Sequence, residues 1–100
     1  MNRDRIIELV SETLVRAGST FSKDKVLAYK RAIEQESYPQ SRWVLEQTLK
    51  NAEAAEKNCS PLCDDTGIPH LVLDMGRNKS LTTDMLQAIH LGVQEGLRKL

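Results

Sequence analysis

Residues 58–69 constrain this chain more than any other stretch. They hold Cys59, Pro61, Cys63, Gly67 and Pro69 between two regions of helical periodicity. Proline lacks a backbone N–H and holds its own φ, and glycine adopts turns that side chains disfavour. A helix does not run through that composition, so the spacing predicts a loop. At its centre Pro61-Leu62-Cys63-Asp64-Asp65-Thr66-Gly67 sets a thiol, two carboxylates and a hydroxyl side by side. Donor groups crowded onto a constrained loop point to a ligand or a metal.

Before the loop, residues 1–57 read as a helical region. Ile6, Ile7, Leu9, Val10, Leu14 and Ala17 fall mostly on one helical face, with Gly18 as a natural stop. Ser22 is expected to cap a second helix with a stripe of Val26, Tyr29, Ala32 and Ile33, ended by Tyr38-Pro39. Ser41 is expected to cap a third helix to about Lys57, with Trp43, Val44, Leu45, Leu49 and Ala52 as its apolar side.

Residues 58–100 read as the loop, one strand and a helix. Leu71-Val72-Leu73-Asp74-Met75 is apolar on both faces and is expected to be a strand ended by Gly76. Leu81-Thr82-Thr83-Asp84 begins a fourth helix, with Met85, Leu86, Ile89, Val93 and Leu97 along it. The expected fold class is mostly α, an α+β fragment. One strand cannot satisfy its own backbone groups, and the last helix is still running at Leu100. Both features predict an incomplete part of a larger fold.

Composition excludes several functions. The 14 basic and 14 acidic residues cancel, so no basic excess points to nucleic acid or an anionic membrane. Phe21, Tyr29, Tyr38 and Trp43 all precede the loop, which argues against a base-stacking platform there. No apolar run approaches the roughly 20 residues that a membrane helix needs. Met1-Asn2-Arg3-Asp4-Arg5 is not followed by the apolar run of a secretory signal, so a cytoplasmic location is the default. A structural disulfide between Cys59 and Cys63 is then disfavoured. A chain of 100 residues buries about two-thirds of its unfolded surface, enough for a modest core but not for a deep active site.

Asp65-Thr66-Gly67 matches the triplet of aspartic proteases, but that fold is built of strands and this chain is patterned for helices. Cys59, Cys63, His70 and His90 have the ligand count of a tetrahedral zinc site without the spacing of a standard finger. Cys59 and Cys63 have three residues between them, unlike the two of familiar redox pairs. Cys63 also suits one corner of an iron–sulfur cluster, with Asp65 and Thr66 orienting substrate or water. The bland alternative is a buried unreactive cysteine beside an Asx-type turn. A non-enzymatic helical interaction module with a structural zinc is the competing reading for the whole chain.

The Pro61–Gly67 stretch resembles the Pro-x-Cys-Gln-Asp-Thr-Gly motif of the class I, iron–sulfur-dependent fumarate hydratases. The same motif occurs in the alpha subunit of L(+)-tartrate dehydratase. Helices before the motif, an apolar strand after it and a following amphipathic helix extend the resemblance over essentially all 100 residues. It implies that residues 1–100 are the N-terminal portion of an iron–sulfur hydro-lyase alpha domain. Cys63 would then be one of three ligands of a 4Fe-4S cluster that the isolated fragment does not hold. Asp64 and Asp65 inherit contacts to a dicarboxylate substrate. Asp64 stands where glutamine is usual, and a carboxylate there repels a dicarboxylate unless it is protonated or paired. The remaining cluster cysteines would come from the remainder of the alpha chain, and further catalytic groups from it or from a beta subunit or C-terminal domain, in an oligomer. The implied reaction is reversible hydration of a carbon–carbon double bond.

Overall fold

The computed structural model describes residues 1–63 and 67–100, and four helices account for most of them. These are α1 (Arg3–Ser19), α2 (Lys23–Gln35), α3 (Pro39–Asn58) and α4 (Thr83–Lys99). The described residues divide into two compact units, Met1–Val15 with Asp64–Leu100, and Arg16–Cys63.

In the first unit, α1 and α4 meet through their smallest residues. Ala88, Gly92 and Gly96 recur every four positions and are buried on one face of α4. A Cβ at Gly92 would lie 2.6 Å from Val10 Cβ and 2.9 Å from the Ile7 carbonyl oxygen. A Cβ at Gly96 would lie 2.5 Å from Leu14 Cδ2 and 3.1 Å from the Ser11 carbonyl oxygen. Only glycine permits that approach. The apolar stripe expected on α4 is corrected accordingly, because Leu86 and Leu97 are exposed. Close backbones leave no room for large side chains at the seam and displace them outward. On α1, Ile6 is buried, and Ser11 is 1% exposed with its Oγ lacking a hydrogen-bond partner. The side chain of Thr82 accepts the Met85 N–H at 3.1 Å and caps α4 where the sequence placed its start.

In the second unit α2 packs on α3, which buries Leu49, Ala52 and Ala55. Phe21 stacks on Tyr29 with ring centroids 5.4 Å apart, and Lys25 Nζ lies 4.4 Å above the Phe21 ring. Pro39 occupies the first turn of α3, where its missing N–H costs nothing, so the helix starts before the expected Ser41 cap. Trp43 (60% exposed) and Val44 face solvent rather than a core. Gly18 does not stop α1 either: the helix continues to Ser19, and Thr20 N–H still bonds the Arg16 carbonyl at 2.9 Å.

The strand expected at Leu71–Met75 is not found among the described residues. Described residues 67–82 carry neither helix nor strand, and a turn closes at Lys79 N–H to the Gly76 carbonyl (3.0 Å). A strand exists by pairing, and no strand is found among the described residues.

At the start of α2, Ser22 has cap dihedrals but accepts no helix N–H. Instead its hydroxyl, then the N–H groups of Asp24 itself and Lys25, bond the Asp24 carboxylate and hold its pKa below the ordinary carboxylate value. A depressed folded-state pKa means stability that is present above the unfolded value and lost as pH falls through the folded one. Carbon-detected NMR should therefore find Asp24 titrating below a peptide aspartate, with the first turn of α2 loosening only as Asp24 protonates.

The α1–α4 seam makes a second expectation. Gly92→Ala gains about 1 kcal/mol in helix propensity but meets a Cβ and a backbone oxygen that no rotamer change can move. Overpacking costs about 1–3 kcal/mol, so urea denaturation should show net destabilisation. Ser11→Ala removes an unsatisfied buried hydroxyl at nearly constant volume and should stabilise by about 1 kcal/mol.

Candidate functional site

The loop that holds the sequence motif begins with an unusual helix end. Cys59 closes α3 in the left-handed region (φ 50°, ψ 41°), the one positive φ at a non-glycine among the described residues. Its N–H reaches the Glu56 carbonyl at 3.4 Å, and Ser60 N–H reaches that of Ala55 at 3.0 Å. This is the paired closure that usually places glycine at the left-handed position. It turns the chain sharply, and Pro61 follows.

Leu62 is held from both sides. Its N–H donates to the Gly18 carbonyl at the end of α1 (2.9 Å). Its carbonyl accepts from Asn51 Nδ2 on α3 (2.7 Å). Cys63 comes next, with a free and exposed thiol. That exposure removes the reading of Cys63 as a buried, unreactive cysteine. The Cys59 thiol is also free and exposed.

Asp64 and Asp65, the expected substrate contacts, lie outside the described residues, as does Thr66. His70 is exposed. His90 is exposed on α4, with Nε2 3.4 Å from Gln94 Nε2. Among the described residues no three His, Cys, Asp or Glu side chains gather into a group able to hold a metal ion. Nothing described therefore supports the zinc reading. A lone exposed thiol on a pinned loop has the chemistry of one soft metal ligand, not of a whole centre.

Asn51 is not picked out by sequence reasoning, and Gly18 only as a helix stop. Asn51 lies within the span expected for the third helix, and its partner is eleven residues away, outside any helical period. Gly18 is expected to end a helix, and what it supplies to the loop is a carbonyl. The one weak signal was an asparagine, a poor helix former, inside an otherwise favourable helix.

Residues 7–100 match the model of a family described as fumarate hydratase (fumerase). The chain is also 30% identical over 95 residues to the "Putative L(+)-tartrate dehydratase subunit alpha" of Methanocaldococcus jannaschii. That match covers 95% of this chain and 33% of the relative, so the chain spans about a third of the relative's length. No solved structure matches.

The helix end separates the two cysteines by backbone position, since Cys59 occupies one that suits glycine. A side chain in that conformation costs about 1–2 kcal/mol, partly offset by the extra freedom glycine has when unfolded. Cys59→Gly should leave stability unchanged or raise it by up to about 1 kcal/mol in urea denaturation, and β-branched Cys59→Val should lower it.

Proposed function

The chain belongs to the fumarate hydratase (fumerase) family, and on that premise we propose that it is the N-terminal portion of an iron–sulfur hydro-lyase acting on a dicarboxylate of the fumarate, malate or tartrate type. One observation carries the proposal: within the matched span, the motif cysteine is presented as an exposed thiol on a loop pinned at Leu62.

Cys63 would hold one corner of a 4Fe-4S cluster, with two further thiolates supplied from outside these residues. When bound, such a cluster supplies an open iron that acts as a Lewis acid toward the substrate hydroxyl and carboxylate. Asp65 would orient substrate beside Cys63. Asp64 adds negative charge, so it binds a dicarboxylate productively only when protonated or paired with a cation. In the dehydration direction a base takes the carbon-bound proton, an acid protonates the departing hydroxyl so that the carbon–oxygen bond breaks with release of water, and the double bond forms. The base lies in the remainder of the enzyme.

The partners in this reading are the rest of an alpha chain and a beta subunit or C-terminal domain. The relative's name, subunit alpha, supports that division. The segment around Leu71–Met75 fits the same picture. Ile68 is 79% and Val72 96% exposed, and residues 67–75 accept no backbone bond within the described chain. Such a segment is suited to join a sheet that another part of the protein completes. No helix among the described residues is long and apolar enough to cross a membrane. The reading places the enzyme in the cytoplasm, where thiols stay reduced.

The isolated chain should form no stable cluster and show no hydratase activity after anaerobic reconstitution with iron and sulfide. A stable cluster with turnover would overturn the fragment reading. In the complete enzyme, Cys63→Ser should abolish cluster absorbance and lower activity by more than the roughly 10–100-fold typical of losing an outer-shell partner. Cys59→Ser should be mild. Equal loss from both changes would refute the assignment.

A further inference from the structure

We infer that Asn51 is a positioning residue for Cys63, setting the thiol's direction through the peptide that precedes it. The inference rests on the reading of Cys63 as a cluster ligand. The Leu62 carbonyl and the Cys63 N–H belong to one planar peptide unit. A donor that fixes the carbonyl therefore fixes the plane from which Cys63 departs. Asn51 Nδ2 does so at 2.7 Å, from inside α3 rather than from another loop. The preceding peptide is fixed independently, because Leu62 N–H is engaged with the Gly18 carbonyl at 2.9 Å. With both peptides flanking Leu62 tied to helices, the Sγ position depends chiefly on Cys63 φ and χ1. Ligands held by rigid elements place their donor atoms closely enough for a metal group to assemble without reordering the loop.

Cys59 makes the internal comparison. It is exposed like Cys63, but its backbone is closed onto Ala55 and Glu56, and Asn51 makes no hydrogen bond to it. Loss of the Asn51 amide should therefore affect one cysteine and spare the other. Alanine is a better helix former than asparagine, so Asn51→Ala removes the donor without weakening α3. Asn51→Asp keeps the shape but turns a carboxylate oxygen toward the carbonyl.

The test compares iodoacetamide alkylation of the two cysteines in the cluster-free chain, with thermal melting and cluster retention in the complete enzyme alongside. Both variants should alkylate Cys63 at least threefold faster, leave the Cys59 rate unchanged and melt as the parent does. In the complete enzyme they should lose the cluster about 10–100-fold more readily. Unchanged Cys63 alkylation in both variants, or an equal rise at both cysteines, would overturn the inference. Failure of the underlying reading looks different: Cys63→Ser would then retain the cluster, whatever the Asn51 variants do.

Discussion

The double restraint on Leu62 is the interaction on which the candidate site depends. A loop after a twenty-residue helix has no intrinsic reason to present its next side chain in one direction. Here the left-handed turn at Cys59 sets the exit from α3, and Pro61 narrows the path. Two hydrogen bonds of opposite sense, one to each backbone group of Leu62, then remove the remaining freedom. The Gly18 carbonyl is one of the acceptors that every helix leaves unpaired at its C-terminus. One bond thus satisfies a helix end and anchors the motif loop.

A different constraint governs the unit that contains α4. Gly92 and Gly96 bring that helix so near to α1 that a single added carbon would overlap Val10 or Leu14. The seam gains dispersion contacts along two backbones, and Leu86 and Leu97 remain outside it. Among the described residues the exposed ion pairs Arg5–Glu8, Arg42–Glu46 and Arg98–Glu95 add little to stability.

Much of this organisation is legible in the residues. Helical periodicity located all four helices, and Leu81-Thr82-Thr83-Asp84 marked the start of α4. The boundaries of α1 and α3 were less legible. Gly18 sits inside a helix whose last turn is held by neighbouring bonds, and Pro39 starts a helix although the same residue type also ends them. At the α1–α4 seam the wrong stripe stood out, since large apolar residues draw attention and the buried one is made of Ala88, Gly92 and Gly96. The expected strand at Leu71–Met75 has the composition of a strand without a neighbour to pair with.

The sequence by itself singled out the candidate loop, because Pro61 and Gly67 are residues that a turn favours and Cys63 is the residue type of a soft ligand. It also determined the family, through residues 7–100. Only the tertiary structure decided how the loop before Cys63 is held and that Cys59 closes a helix in the left-handed region. The first of these rests on contacts from Asn51 and Gly18 to Leu62, eleven or more residues apart along the chain. Contacts at that separation follow no local period, and they exist only once the helices have brought the loop and its anchors together.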